Sequence, residues 1–531
     1  MSNTNKIVKF DLAAREDLLK GVNILTDSVK TTMGPRGRNV VIESPGTHPI
    51  LTKDGVTVAQ AVNLSDPFLN LGVQMIKEAA SRTADTAGDG TTAATLLSQA
   101  IFAEGLKMLA AGYSSSDIKY QIKDAVDSVL SFLRSLSIPI TKDDEIKQIA
   151  TISANGEVQV GDLIFEAIKS VGVEGVVTVE EAKGFQSSLT VVEGMRIDRG
   201  YLSPYFVTNQ EKMIAELENP YVLICNKKID NMKEIMPMLE RILNEQRSLL
   251  IIADDVEGDA MQGLVVNKMR GTLKACAIKA PGFGESRLDM LNDLAVVLGG
   301  EVVSSASGDA LEDIDFEKLG ECKKILIGRS ATVFIDGSGK SEEIERRADS
   351  IREYINDSSI DLDRIPIFKE RLAKLAGGVA ILKVGGATEA ELRERKDRVD
   401  DALSATLAAI EEGILPGGGV ALAKASKILE SHNNGDINIG AQIIKNACCA
   451  PMKQIILNAG GSPDIVLQKI LEHDENFGYD AYNEKFGDMF EMGIIDPLKV
   501  IRSALENAAS AASMMLTVGC AMIEENREND T

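Results

Sequence analysis

Leu18, Val22, Leu25 and Val29 fall on one face of a helix, and the pattern ends ahead of Gly34-Pro35, a pair that stops helices. Strand-like Asn39-Val40-Val41-Ile42 follows, and Asp54-Gly55 between two short apolar runs gives a hairpin signal. Residues 68–112 and 116–135 carry helical periodicity, so the first quarter reads as mostly α. Near residue 175 the texture changes. Val176-Val177-Thr178-Val179, Tyr221-Val222-Leu223-Ile224 and Leu249-Leu250-Ile251-Ile252-Ala253 read as buried strands with helical stretches between them, which predicts an α/β module. From about residue 388 the chain is helical again, with Leu392, Val399, Leu403, Leu407 and Ile410 opposite a charged face. The α–α/β–α order predicts a multidomain chain and leaves open whether its two helical ends meet.

Composition narrows the function classes. A chain of 531 residues suits about three or four domains, and a 44% hydrophobic fraction is enough for real cores. With 57 basic and 80 acidic residues the net charge is −23, which argues against a nucleic-acid or anionic-membrane surface. The six cysteines show no C-x-x-C spacing and read as reduced thiols, with adjacent Cys448 and Cys449 as packing residues. No segment approaches about 18 apolar residues in a row and no apolar signal core opens the chain, so the expectation is a cytoplasmic protein. The three histidines, His48, His432 and His473, are scattered, which disfavours a His-based hydrolase or metal site.

Candidate chemistry concentrates in Asp85-Thr86-Ala87-Gly88-Asp89-Gly90-Thr91-Thr92-Ala93-Ala94-Thr95. Glycines let a backbone approach a phosphate, and the N–H groups of a first helical turn bind anions. Asp89 stands where a hard oxygen ligand for phosphate-bound Mg²⁺ belongs. The same residues also suit a plain helix start with Thr91 as N-cap. Gly339-Lys340-Ser341 imitates the end of a Walker A loop, but Phe334 occupies the position of its first glycine, so a surface turn after Thr332-Val333-Phe334-Ile335 is the better reading.

The Asp85–Thr95 stretch resembles the ATP signature of the group I chaperonins, the GroEL family. Further matches run in family order: Thr31–Val40, Leu51–Val56, Thr151–Asn155, Val192–Met195, Asp198–Phe206, Lys279–Gly284, Leu375–Ala380, Arg398–Leu403, Gly417–Leu422 and Ile495-Asp496-Pro497. The resemblance implies a discontinuous architecture: a mainly helical equatorial ATPase domain (1–136 and 413–531), a small α/β intermediate domain (137–193 and 378–412) and an α/β apical domain (194–377). Hinges would fall near Pro139 and Gly413 and near Glu193-Gly194 and Gly377-Gly378. The implied function is an ATP-dependent chaperone that captures unfolded proteins and encloses them in a ring cavity, with ATP, Mg²⁺ and K⁺ as cofactors.

Carried over position by position, the resemblance assigns phosphate contacts to Gly34, Gly88, Gly90, Thr91 and Thr92, beside Met33 and Pro35, with Asp89 on Mg²⁺. It assigns a K⁺ site to the backbone oxygens of Thr32 and Lys53, a nucleotide loop to Gly418, and the adenosine pocket to Asp480, Ala481, Ile494 and Asp496. Asp401 would orient or deprotonate water, with Asp54 beside the phosphates. By residue type alone Asp54 is a turn residue, and Asp401 lies on a charged helix with Asp400 about 100° away. The departures are Ala93 for a threonine, Asp480 for an amide and Tyr482 for a small residue; they predict altered nucleotide affinity with ATPase activity retained.

Client binding maps to Tyr201, Tyr205, Phe206, Met236, Leu239, Met261, Val265 and Val266. Spacing alone makes Met236, Leu239, Val265 and Val266 ordinary helix core. Arg199 and Glu389 match a pair that joins apical and intermediate domains across subunits. The implied assembly is rings of about seven subunits with a possible heptameric co-chaperonin lid. At the ring–ring contact Lys107, Ala111 and Lys453 are kept, but the expected acids fall at Gly435 and Ser462, with Asp436 and Asp464 as possible replacements. The chain also ends in charged residues where the family has flexible Gly-Gly-Met repeats. These departures predict a double ring weak enough to part during the ATP cycle. A small-molecule kinase or a scaffold without turnover are the competing classes; the first lacks an acceptor site, and Asp54, Asp89 and Asp401 argue against the second.

Overall fold

The computed structural model describes residues 6–43, 49–140, 142–154, 157–172, 175–182, 184–210, 212–282, 284–304, 311–356, 365–386, 388–430 and 438–524. They form two compact units, one from Met1–Asp162 with Arg393–Thr531 and one from Leu163–Leu392. The segments read as an intermediate domain are divided between the two: 137–162 and 393–412 fall in the first unit, 163–193 and 378–392 in the second.

In the first unit the chain ends meet. Strand Lys6–Phe10 pairs antiparallel with Cys520–Glu524, with Lys6 opposite Glu524 and their side chains 3.0 Å apart. The body is a layer of long helices: Asp11–Val29, Pro67–Ala87, Thr91–Ala110, Ser115–Leu136 and Leu498–Leu516. Leu18, Val22, Leu25 and Val29 lie in one buried cluster with Ile101, Phe102, Leu133, Leu505 and Met515, as their spacing predicts. Two glycines let the first pair of long helices cross backbone to backbone: a Cβ on Gly21 would stand 1.9 Å from the Leu69 carbonyl oxygen, and one on Gly72 2.3 Å from that of Leu18.

Two boundaries differ from the periodicity. The 68–112 stretch is broken at Gly88-Asp89-Gly90, because left-handed glycines interrupt the ladder of hydrogen bonds. Asp54-Gly55 is no hairpin turn. The hairpin pairs Val40–Ile42 with Ile50–Thr52, and Asp54 opens the short helix Gly55–Ala61. Its carboxylate accepts the Val56 and Thr57 N–H groups, so the same side chain that suits a turn serves as a helix cap.

The second unit holds an eight-stranded mixed sheet. Tyr221–Cys225, Leu249–Ala253 and Ala275–Lys279 run parallel and are buried almost throughout, with helices Met232–Glu245, Gly258–Met269 and Gly284–Leu298 between successive strands or beyond them. Gly320–Ile327, Thr332–Gly337 and Gly194–Ile197 extend the sheet antiparallel. A smaller sheet places Val379–Val384 between Val176–Glu181 and Ser188–Val192. Its Val176, Val379 and Ile381 pack on Ile335 of the large sheet. Among the described residues no helix is long and apolar enough to cross a membrane. All six cysteines are free thiols, and five are buried, Cys448 and Cys449 included.

Candidate functional site

Gly88 closes the Pro67–Ala87 helix at φ 73° and Gly90 opens the Thr91–Ala110 helix at φ 91°. Both values lie where only glycine is comfortable. The helix cap is therefore Gly90 rather than Thr91, and no side chain caps the first turn. Thr91 is 5% exposed and its hydroxyl has no hydrogen-bond partner. A buried hydroxyl without a partner is uncommon, and here it stands among uncapped N–H donors at the positive end of a twenty-residue helix. Gly55 completes this floor: a Cβ there would come within 2.1 Å of the Thr92 hydroxyl, so glycine is what allows the Asp54 turn to close on the threonine pair.

Four acids surround the floor. Asp54 is pinned as a cap and also accepts the Thr57 hydroxyl at 2.6 Å. Asp89 keeps solvent access but sits deep among protein atoms; this desolvation, and then the charge of Asp54, raise its carboxyl while the Gly90 N–H holds it down. Asp401, on helix Glu389–Glu412, is likewise open at its tip and hemmed in below. Desolvation, then Asp89 and Asp54, push its pKa up to about 8. Asp496 is pushed up to about 6 by desolvation and Asp89, against the N–H groups of Gly419 and Gly418. The Asp401 helix comes this close because Gly88 has no side chain: a Cβ there would lie 2.5 Å from that of Ser404. Ala87, Ala408 and Val500 pack beside it. Among the described residues no group of three or more His, Cys, Asp or Glu is arranged to hold a metal by itself. Any ion at Asp89 would have to complete its shell with oxygens from outside this group.

The remaining walls come from distant segments. Strand Ile414–Pro416 pairs with Ile495–Pro497, which sets Leu415 opposite Asp496 and delivers Gly418 and Gly419, at φ 66° and 77°, beside that carboxylate. Ile494 packs with Val420, Met452 and Met489. Asp480 and Ala481 lie at the turn between strands Phe477–Asp480 and Lys485–Asp488. The Asp480 carboxylate is spent on that turn, accepting the Tyr482 and Asn483 N–H groups and the Asn483 amide; burial raises its pKa, but these bonds outweigh it and the net shift is downward. Tyr482 points outward.

Thr32 and Met33 form the end of a tight turn after the first long helix. Asn458 holds this turn by donating to the carbonyls of Lys30 and Met33 at 2.9 and 2.8 Å. Gly34 rests on Ile455, Pro35 is exposed, and Arg36 reaches the Tyr482 carbonyl and the Glu484 carboxylate. Lys53 is exposed. Ser404, Gly55 and Asn458 escaped sequence reading; the glycine after Asp54 was a usable signal, the other two gave none.

The apolar candidates divide. Phe206 is 0% and Leu239 3% exposed, so both are core residues of the second unit rather than surface. Tyr201, Met261 and Val265 are half-buried against that core. Tyr205 at 61%, Met236 and Val266 face water, and so do Leu243 and Met269 on the same two helices. Those helices touch where Met232 meets Gly263, and Lys268 ties the second to the Pro204–Phe206 turn through the Val207 carbonyl at 2.7 Å. Arg199 donates to the Ala280 carbonyl, while the side chain of Glu389 lies outside the described residues.

Of the assembly residues, Lys453 pairs with Asp464 at 2.8 Å and Lys107 with Glu104, each within the chain. Gly435, Asp436 and the tail from residue 525 lie outside the described residues.

A crystal structure of the chaperonin gp146 from the bacteriophage EL 2 (Pseudomonas aeruginosa), in the presence of ATP-BeFx, superposes with a TM-score of 0.70 at 24% identity, covering 98% of this chain and 100% of that one. That likeness establishes the fold. A family model described as the TCP-1/cpn60 chaperonin family matches residues 25–526. Glycine-framed loop, gathered acids and discontinuous first unit thus have one common explanation: the chain belongs to the TCP-1/cpn60 chaperonin family.

Proposed function

We propose that this chain is an ATP-driven chaperone, binding unfolded proteins on the exposed apolar residues of its second unit and hydrolysing ATP in its first. The observation that carries the reading is the convergence of Asp54, Asp89 and Asp401 over a buried, partnerless Thr91 hydroxyl and an uncapped helix N-terminus. The left-handed backbone at Gly88 and Gly90 sets the loop that would face phosphate oxygens, and Thr91, Thr92 and the first-turn N–H groups supply donors for them. Asp89 would hold Mg²⁺, and the backbone oxygens of Thr32 and Lys53 would hold K⁺; when bound, these cations neutralise charge on the phosphates. Asp401 takes the role of base or water-orienting group. Without bound cations, burial and then the charges of Asp89 and Asp54 hold its pKa up at about 8; a cation at Asp89 would offset that repulsion and favour the ionised carboxylate that a base requires. Asp54 is fixed by its cap and supplies charge at a set position rather than a mobile base. Phosphoryl transfer asks for this kind of positioning more than for covalent chemistry.

On the client side, each Å² of apolar surface that Tyr205, Met236, Val266, Leu243 and Met269 bury against an unfolded chain contributes about 25 cal/mol. Methionines adapt to varied partners. The working assembly in this reading is a cytoplasmic ring of about seven subunits, paired weakly to a second ring, with a heptameric lid as a possible partner. Steady-state ATP turnover, measured with and without a denatured client, tests it. Turnover that responds to client supports the reading. A protein that neither binds nor turns over ATP is a scaffold, and turnover that depends on a small-molecule acceptor makes it a kinase; either result sinks the proposal.

A further inference from the structure

The helix Val420–Ala425 follows directly on Gly418-Gly419 and is buried at every residue. Its one charged side chain, Lys424, is 3% exposed. The ammonium donates to the carbonyls of Ile470 at 2.5 Å, His473 at 2.8 Å and Asp474 at 2.6 Å. Three N–H bonds meet three backbone acceptors, so the group is saturated. Ile470 lies in the last turn of helix Pro463–Leu471, where the helix dipole favours a cation; its carbonyl also accepts the His473 N–H at 3.2 Å. The Asp474 carbonyl also accepts the N–H of Phe477, the first residue of the strand that ends at Asp480.

One side chain therefore spans two walls of the same pocket. Its backbone continues from the glycine loop whose N–H groups face Asp496, and its ammonium grips the root of the hairpin that carries Asp480 and Ala481. Its surroundings are otherwise apolar: Val420, Ala423, Met452, Ile456, Val466, Ile470 and Met489 form one cluster there. Burying an ammonium in such a place is costly, and an apolar side chain would fill the space without that cost. What the lysine adds is a fixed distance between loop and hairpin.

We infer that Lys424 is a positioning residue for nucleotide binding: it sets the separation of the Gly417–Gly419 loop and the Phe477–Asp488 hairpin, and through it the affinity for ATP. The inference rests on the reading of this pocket as an ATP site. The charges facing Lys424 are few. Lys427 on its own segment opposes its charge, and Asp474 and Glu475 on the facing turn favour it. Burial, then Lys427, bring its pKa down to about 8, so the tether weakens as the pH rises through that value.

The test uses the full assembled protein and ATP itself. Lys424→Met is expected to raise KM for ATP by about tenfold or more with kcat changed by less than about threefold, and Lys424→Arg to stay near wild type. In wild type KM rises between about pH 7.5 and 9.5, while Lys424→Arg, whose guanidinium keeps its charge, stays flat. An unchanged KM in Lys424→Met, or the same alkaline rise in Lys424→Arg, overturns the inference. If Lys424→Met does not assemble, the pH comparison of wild type with Lys424→Arg decides alone. Wild type that binds no ATP at pH 7 overturns the ATP reading and this inference together, whereas wild-type binding with an indifferent Lys424 overturns the inference only.

Discussion

The acidic cleft of the first unit and the apolar helices of the second both hold groups that folding alone disfavours. In the cleft, like charges crowd until Asp401 titrates at about 8. On the helices Met236, Val266 and Met269 face water, and so does Tyr205 on the adjoining turn. In the proposed function each region would be relieved by something from outside the chain, cations and phosphate in one case and another protein's side chains in the other. They differ in how their residues are held. The cleft is fixed by backbone devices, namely left-handed glycines, an aspartate cap and an asparagine brace, so each side chain has one place. The apolar surface is fixed only by which face of a helix a residue falls on, and neighbours three residues apart, Met236 and Leu239, end on opposite sides of the boundary. A site built on backbone devices should fail at single atoms; a surface built on periodicity should fail by degrees.

The largest expected effect is in the cleft. Asp401→Ala should lower ATP turnover by about 100-fold or more, the usual scale for a lost general base, while nucleotide affinity stays within a few-fold. Asp89→Ala should instead weaken Mg²⁺-dependent nucleotide binding itself. Comparable turnover in Asp401→Ala and wild type would make the crowding of acids incidental.

Next comes the boundary on the apolar side. Phe206→Ala should destabilise the second unit by about 3–5 kcal/mol, as removal of a buried ring does, whereas Tyr205→Ser next to it should leave the melting temperature nearly unchanged and abolish capture of a denatured client. Val266→Ser should behave like Tyr205→Ser, with intrinsic ATPase activity near normal. Denaturant melts and aggregation-suppression assays on the same preparations check this. Equal destabilisation by both changes at 205 and 206 would erase the distinction between core and surface.

A smaller effect follows from the charge of Asp401. Its folded pKa of about 8 exceeds the unfolded value of about 3.9, so the folded chain holds this proton more tightly and stability falls as the pH rises from about 4 to about 8. Asp401→Asn removes that loss. The nucleotide-free variant should melt higher than wild type by on the order of a few degrees at pH 8 and by much less at pH 5, since solvent screening at an open cleft trims the gain. An equal shift at both pH values would mean that the charge is not what destabilises the cleft.

The smallest concerns assembly. Lys453 and Lys107 are engaged by Asp464 and Glu104 of their own chain, and surface pairs are worth only about 0–1 kcal/mol each. Repeated around a ring, small deficits add, so light scattering with and without ATP should find particles of about half the nucleotide-free mass when ATP is present. An undissociated particle under every nucleotide condition counts against the weak contact.

Much of the fold was legible because periodicity and burial coincide: Leu18 to Val29, Tyr221 to Ile224 and Leu249 to Ala253 are buried as their patterns imply. The loop at Gly88–Gly90 was legible because left-handed backbone needs glycine, a constraint that leaves its mark in sequence. What stayed hidden depends on tertiary approach. Asp54 satisfies a turn and a helix cap equally well, and only the arrival of Thr92 against Gly55 decides between them. Phe206 and Tyr205 sit side by side in a single three-residue 3₁₀ turn, too short for any period to tell inside from outside. Lys424 looks like any surface lysine until its three carbonyls are seen, since backbone acceptors have no letter in the sequence.

The pairing of Lys6–Phe10 with Cys520–Glu524 has a consequence for how the protein is made. A chain emerging from the ribosome offers its first strand at the outset, but the partner strand arrives only after more than five hundred further residues, Lys6 and Glu524 being 518 apart. The second unit is one continuous segment and needs nothing that follows Leu392, so it can reach its own structure during synthesis. The first unit must then wait, with its apolar helix faces uncovered, until translation is nearly complete. A newly made chain thus passes through a stage in which its second unit is finished while its first unit still exposes the kind of apolar surface that an unfolded protein shows.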